Sequence, residues 1–193
     1  MNRNHLICFP DGSVNDAGQI VDLGLWVEEF ERYFDERILS EIRTAIGVGL
    51  QTAPYILISC AIDFLTTFWA GADSTRERYR DFVNAFFAGY DGEKVYRQLR
   101  CRMVHNHTVG EAAIICWDEL DLHGCTIGDG TVVLNLEQFL QDFIEAKKKY
   151  FAALRTSPEV LENQIARFNH MGVLSTIDGE EVRRWVAQVR QRP

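Results

Sequence analysis

The chain has 193 residues, of which 47% are hydrophobic and 25% charged, and its formal net charge is −8. This size and composition are typical of one folded domain and exclude a chain that is disordered throughout. The negative charge excludes a general polyanion binder, because Lys and Arg make most contacts to phosphate. Any nucleic-acid function therefore requires a local basic site.

Cysteine usage and hydropathy indicate the cellular environment. The five cysteines include no Cys-x-x-Cys pair, which argues against a disulfide framework or a structural zinc site and favours reduced thiols. The N-terminus lacks the long apolar run of a signal peptide. The most apolar stretch, Ala53 to Ala70, is short and interrupted by Asp63, so it is not expected to span a membrane. We expect a cytoplasmic protein without a membrane segment.

The first two predicted helices follow an irregular arm at residues 1–19, in which Leu6 to Phe9 is predicted to form a short strand. From Leu23 to Ile46, apolar residues recur at every fourth position and charged residues fill the other faces. This pattern predicts an amphipathic helix. A second helix, from Pro54 to Ala70, is apolar nearly all round, so we expect it at the centre of a bundle.

Two shorter helices are predicted next, followed by two strands. Asp73-Ser74 is expected to cap a third helix from Thr75 to Phe87, and a fourth helix runs from Glu93 to Val104. The runs Ala112 to Trp117 and Thr131 to Leu134 are short and apolar, and turn-forming glycines lie between them. They predict a small β-hairpin that packs on the bundle or on a partner.

The chain then returns to helical patterns. Asn135 and Gln138 resemble a capping box that opens a fifth helix, ending at Leu154. On this helix, Lys147-Lys148-Lys149 is interpreted as a solvated face. Ser157-Pro158 is expected to open a sixth helix that ends before Gly172.

These patterns predict an all-α class in the broad sense, a mainly α fold. The bundle covers residues 20–155, with the β-hairpin inserted at about 112–134. Residues 156–193 are predicted to form an accessory helical hairpin, whose last helix runs from Gly179 to Gln191.

The end of the fourth helix carries the most informative residues, Arg100-Cys-Arg-Met-Val-His105. Histidine exchanges its proton near neutral pH, and arginine can clamp a phosphate with two hydrogen bonds. Arg100 and His105, supported by Arg102, Asn106 and His107, therefore favour phosphodiester chemistry. The simpler interpretation is that these cations only stabilise the end of the helix dipole. No carboxylate or Cys nearby completes a metal site, so no metal is expected.

Helix geometry restricts how this pair can meet. Five residues on an α-helix span roughly 7.5 Å and about 140° of rotation. Arg100 and His105 therefore converge only if the helix frays near His105, or if a second copy of the site faces the first. Asp63, in the apolar second helix, is either an orienting partner for Arg100 or Arg102 or a solvent-facing carboxylate. Tyr96, one turn before Arg100, either lines the same cleft or belongs to the core.

Arg100-x4-His105, on a late helix of a small bundle, resembles the signature of the HEPN superfamily in its Arg-polar-x3-His form. Arg102 matches an inner Arg of that signature, and Met103-Val104 matches the hydrophobic pair before the His. The order of the flanking helices agrees over about residues 20 to 155.

The resemblance implies an up-and-down helical bundle that forms a homodimer through the motif helix. It also implies a metal-independent endoribonuclease of a toxin or defence system, with Arg100 and His105 as the catalytic pair. RNA or a nucleotide and an antitoxin-like protein are the expected partners, and no cofactor is expected.

Two departures from the family pattern leave other functions open. Cys101 stands where the family has a polar residue, and His107 stands where antitoxin-paired members often have Tyr. One alternative is a non-catalytic HEPN-like module that binds a nucleotide or a protein in a stress or defence system. Another is a structural interaction protein. Arg102-x4-His107 is a second register that also fits the formula.

Overall fold

A computed structural model describes residues 22–128 and 130–171, with side chains described as far as Phe168. The N-terminal arm with its predicted strand, and the helix predicted from Gly179 to Gln191, lie outside the described residues.

The first predicted helix is a single continuous helix that contains one wider turn. It consists of α1 (Leu23–Tyr33), a π-helical segment (Phe34–Leu39) and α2 (Ser40–Gly47). Four residues overshoot an α-helical turn by about 40°, so a repeat at every fourth position drifts around a regular helix. The π-helical segment has more residues per turn and corrects this drift. As a result Leu39, rather than Ile38 of the repeat, is fully buried.

The predicted central helix is confirmed. α3 (Ala53–Trp69) is buried along most of its length and packs against other helices on several sides. α4 (Arg76–Phe86) follows after a short turn. Its N-cap is Thr75, whose side chain accepts a backbone hydrogen bond from the first turn, and not the predicted pair Asp73-Ser74.

The helix that carries the motif is also continuous. It consists of α5 (Gly92–Val95), a second π-helical segment (Tyr96–Cys101) and α6 (Arg102–Asn106). It ends at His107, which adopts the left-handed conformation with φ 54° and donates its backbone N–H to the helix. His107 therefore serves as the C-terminal cap of the motif helix.

The strand region corrects the predicted hairpin. β1 (Ala113–Cys116) pairs in parallel with β3 (Thr131–Asn135), and β2 (Thr126–Ile127) pairs antiparallel with β3. The sheet order is β1-β3-β2, so the two predicted strands do not form a hairpin with each other. Parallel strands need a crossover of about a dozen residues. The connection between β1 and β3 supplies it and includes a 3-10 turn at Leu120–Leu122 and the short strand β2.

A buried tyrosine of α3 attaches this sheet to the bundle. The Tyr55 hydroxyl lies 2.9 Å from the carbonyl oxygen of Cys116 and 2.7 Å from that of Leu134. These carbonyls lie on β1 and β3, so one hydroxyl contacts both parallel strands. The sheet is therefore fixed against the N-terminal part of α3.

The predicted fifth and sixth helices are confirmed as α7 (Leu136–Thr156) and α8 (Pro158–Met171). The Asn135 side chain accepts the backbone N–H of Gln138 at 3.1 Å. The Gln138 side chain does not return to Asn135 but donates to Asp142 at 2.8 Å. Only half of the predicted capping box therefore forms.

Lys147 is the exception to the solvated face predicted on α7. Its side chain is buried, and its Nζ lies 2.7 Å from Asp35 and 3.0 Å from Glu31. Arg155 also donates to Glu31, at 2.6 Å. This network joins α1 and its π-helical segment to α7, whereas the neighbouring Lys148 is exposed as expected.

One aromatic-rich core unites these elements. It extends from α1 through β3 to α8, where Phe168 makes an edge-to-face contact with Trp26 at a ring-centroid distance of 5.2 Å. The described chain is 71% helical, which confirms the mainly α class. Within the described residues, no helix is long and apolar enough to cross a membrane. The specifically HEPN-like arrangement of the bundle stays a prediction.

Candidate functional site

Arg100 and His105 contact each other directly within one chain. Arg100 Nη1 lies 3.2 Å from His105 Nε2. A guanidinium group can only donate hydrogen bonds, so His105 Nε2 accepts this one and carries no proton in this arrangement. His105 is exposed, so the pair lies at the protein surface.

Asp63 lies on the other side of the Arg100 guanidinium. Arg100 Nη2 donates to Asp63 Oδ2 at 3.1 Å, and Asp63 Oδ1 accepts a hydrogen bond from Ser74 at 2.5 Å. The exposed fraction of the Arg100 side chain is 25%. Burial lowers the pKa of Arg100, but the hydrogen bond and charge of Asp63 outweigh burial and raise it. The Arg100 guanidinium also lies 5.7 Å from the centre of the Tyr96 ring.

The pair meets by a route that differs from both predicted ones. The helix does not fray before His105, because α6 continues to Asn106, and no second copy is needed for the contact. Arg100 belongs to the π-helical segment, whose wider turn changes its angle to the residues that follow. The length of the arginine side chain covers the remaining distance to His105.

The other predicted support residues lie apart from the pair. Arg102 is exposed and lines a shallow depression with Arg97, Gln98 and Cys101 on another face of the helix. Asn106 and His107 are exposed at the helix end. Arg102 and His107 share a backbone hydrogen bond of the helix cap, from the His107 N–H to the Arg102 carbonyl oxygen, but among the described residues no side-chain hydrogen bond or ion pair joins them. The contact in the structure is thus in the Arg100 register.

Two residues near Asp63 were not singled out from the sequence. Burial, and then the negative charge of Asp63, raise the pKa of Cys60, while Arg100 opposes this rise. Burial, and then Asp63, also raise the pKa of the fully buried Tyr79. Cys60 lies one helical turn before Asp63 on α3, so helical spacing alone could have placed it beside the pair.

A second histidine site, which no sequence motif indicates, lies at a cavity of about 440 Å³ between the motif helix and the sheet. Tyr90, His123 and Asp142 meet at its wall, and we call it the Tyr90 cavity. The Tyr90 hydroxyl donates to Asp142 Oδ2 at 2.7 Å and lies 2.8 Å from His123 Nε2. Burial, followed by the Asp142 carboxylate, raises the pKa of Tyr90 far above its usual range.

The protonation of His123 follows from its other ring nitrogen. His123 Nδ1 accepts the backbone N–H of Asn135 at 3.0 Å, so in this geometry the proton of the neutral ring is on Nε2. His123 Nε2 faces Tyr90 and lies 3.3 Å from Asp142 Oδ2. The network is therefore consistent when His123 is neutral, Tyr90 is protonated and Asp142 is ionised.

Within the residues that the structure describes, no group of three or more His, Cys, Asp or Glu side chains is arranged to hold a metal ion. Comparisons with protein-family models, with curated proteins and with solved structures find no match to this chain.

Proposed function

We propose that this protein is a HEPN-like, metal-independent endoribonuclease that cleaves RNA phosphodiesters in a toxin or defence setting. The observation that carries the proposal is the 3.2 Å contact between Arg100 Nη1 and His105 Nε2. It combines a phosphate-binding cation and a proton acceptor at an exposed position. The π-helical segment that contains Arg100 adds support, because such turns occur frequently at functional sites.

The chemistry uses the lone pair of His105 that Arg100 now occupies. When the Arg100 donors turn to the non-bridging oxygens of a phosphate, His105 Nε2 becomes free to accept the proton of the ribose 2′-hydroxyl. The 2′-oxygen then forms a bond to phosphorus, and the bond from phosphorus to the 5′-oxygen breaks. The products are a 2′,3′-cyclic phosphate and a 5′-hydroxyl, and Arg100 stabilises the charge that develops on the phosphate.

A homodimer through the motif helix would complete this site. One His105 cannot be base and acid at the same moment, and the leaving 5′-oxygen also needs a proton. The His105 of a second copy, facing the first across a two-fold axis and carrying a proton on both ring nitrogens, would donate its Nε2 proton to the leaving oxygen. Two Arg100 side chains would then provide the local basic site that the net charge of −8 makes necessary. An antitoxin-like protein would act by covering this cleft.

A second candidate is a non-catalytic HEPN-like module that binds a nucleotide or a protein partner. The ion pair with Asp63 favours it, because Asp63 neutralises Arg100 and competes with an incoming phosphate. Cys101, in place of the polar residue of the family pattern, favours it as well.

The decisive experiment is cleavage of total RNA in EDTA by the wild type, Arg100→Ala and His105→Ala. Arg37→Ala is the matched control, because Arg37 is an exposed arginine of the first helix, outside the motif helix. The proposal expects the wild type and Arg37→Ala to leave cyclic-phosphate ends and the two motif variants to lose cleavage. Equal cleavage by all four proteins would assign the activity to another site or a contaminant.

Absence of cleavage by all four proteins would favour the binding module. In that case, equilibrium binding of a labelled single-stranded RNA by wild type and Arg100→Ala tests the second candidate directly. Binding that weakens with Arg100→Ala but not with Arg37→Ala would support a nucleotide-binding module.

A further inference from the structure

The Tyr90 cavity combines an apolar interior with a few polar groups. Its apolar wall comes from the motif helix and β3, through Val95, Leu99, Val132 and Leu134. Its volume of about 440 Å³ lies within the range of small-molecule sites. Such a cavity accepts an apolar body and uses its polar groups to select one functional group.

The charges on its wall determine which functional group fits. Asp91, Asp142 and Lys94 are the charged residues of the lining, two acids and one base. Asp91 is occupied, because its carboxylate caps α5 by accepting the backbone N–H groups of Glu93 and Lys94. Asp142 is therefore the carboxylate available to a ligand.

Asp142 is held by neutral donors. It accepts hydrogen bonds from the Tyr90 hydroxyl at 2.7 Å and from the Gln138 amide at 2.8 Å. His123 beside it is neutral in this geometry, because its Nδ1 accepts the Asn135 N–H. Among the described residues, no Lys or Arg forms an ion pair with Asp142. A carboxylate with 28% of its side chain exposed thus lines the cavity without a permanent counter-ion.

We infer that the Tyr90 cavity binds a small organic ammonium ion with an apolar or aromatic body. The ammonium group would donate a charge-assisted hydrogen bond to Asp142, which is stronger than a bond between neutral groups. The Tyr90 ring would contribute its negative face to the same cation. The apolar body would pack against Leu99 and Val132. This site is separate from Arg100 and His105, so the inference does not depend on the proposed ribonuclease.

Three probes of similar shape test this inference. They are 2-phenylethylamine, which is cationic, 2-phenylethanol, which is neutral, and 3-phenylpropionate, which is anionic. Titration of the full chain followed by ¹H–¹⁵N NMR measures each affinity, and the amides of Ala113 and Gly124 report on the cavity. We expect the amine to bind about tenfold more tightly than the alcohol, as a charge-assisted bond predicts, and the anion to bind least.

Asp142→Asn should remove this preference, because the amide keeps the shape but loses the charge. Asp81→Asn is the matched control, since it removes one negative charge from an exposed pair on α4, outside the cavity. It should leave the tenfold preference unchanged. If Asp142→Asn does not fold, Asp142→Ser replaces it, because serine also removes the negative charge, and it should likewise remove the preference for the amine.

Three results would overturn the inference. The first is equal affinity for amine and alcohol, which would mean that Asp142 does not select the ligand. The second is absence of binding by every probe at millimolar concentration. The third is binding whose NMR shifts lie away from Ala113 and Gly124, or whose charge preference survives the removal of the Asp142 charge.

Discussion

The two histidine sites differ first in how the chain assembles them. Arg100 and His105 lie five residues apart on one helix. Tyr90 lies 33 residues from His123 and 52 residues from Asp142, and these three come from different segments. A short motif can indicate the first site, whereas only packing of the sheet against two helices creates the second.

The two histidines also differ in what their hydrogen bonds permit. His105 is exposed and its Nε2 accepts from a side chain that can move away. His123 has only 12% of its side chain exposed. Its Nδ1 accepts from the backbone N–H of Asn135, which cannot move away as a side chain can. The surface pair is therefore accessible to a large molecule, such as the RNA of the proposed function, whereas the cavity has room only for a small molecule.

The largest expected effect tests the surface pair. We predict that His105→Ala lowers RNA cleavage by about 10²- to 10⁴-fold, the usual contribution of a general base. His107→Ala should stay within about threefold of wild type, because His107 lies at the helix cap and Arg100 contacts His105 instead. Initial rates on an end-labelled RNA in EDTA measure both. An equal loss in His107→Ala would favour the Arg102-x4-His107 register.

The next largest effect is on the free energy of unfolding, and it should be seen when the cavity histidine is replaced but not when the surface histidine is. His123→Ala removes the acceptor of the Asn135 backbone N–H, and Asn135 is fully buried. We predict a loss of about 1–3 kcal/mol in the free energy of unfolding, the cost of an unsatisfied buried donor. His105→Ala, at an exposed position, should change it by less than about 0.5 kcal/mol. Urea denaturation of both variants measures the difference, and similar losses would contradict the comparison.

The stability of the Tyr90 cavity should also depend on pH in the alkaline range. Burial and the Asp142 carboxylate raise the pKa of folded Tyr90 above its ordinary value of 10.0. Above that pH the unfolded chain releases the Tyr90 proton while the folded chain keeps it. The unfolded state then binds fewer protons, so the free energy of unfolding falls as pH rises. Tyr90→Phe should reduce this fall by up to about 1.4 kcal/mol per pH unit.

Urea denaturation at several pH values around and above 10 measures this slope for wild type and Tyr90→Phe. Because Tyr55, Tyr79 and Tyr150 also have raised pKa values, some loss of stability should persist in the variant. Identical slopes for the two proteins would mean that Tyr90 ionises as readily in the folded chain as in the unfolded one.

The smallest predicted effect reports on the charges around Arg100. Burial and the Asp63 carboxylate raise the pKa of Cys60, and Arg100 opposes them. Asp63→Asn should lower this pKa and speed the alkylation of Cys60 by iodoacetamide by about threefold, because the thiolate is the nucleophile. Arg100→Ala should slow it. Mass spectrometry of the Cys60 peptide measures the rates, and changes in the reverse directions would contradict the arrangement of charges.

The helices could be predicted because their signals are local. The apolar repeat of the first helix, the apolar composition of α3 and the capping residue Asn135 act within a few turns of the chain. The direct contact between Arg100 and His105 was not predicted, because it depends on a π-helical segment that no residue pattern indicates. The burial of Lys147 was missed because its partners Glu31 and Asp35 are more than 100 residues away in the chain.

The amino-acid sequence by itself determined the mainly α class, the helix boundaries to within a few residues, and the motif that pairs a cation with a histidine. These depend on periodicity and short spacings, which neighbouring residues encode. Only the tertiary structure decided that β1 and β3 run parallel, since the relative direction of two strands depends on how they pair in the folded sheet. It also decided that Tyr90, His123 and Asp142 share one cavity, because their contact exists only after the sheet packs on the bundle.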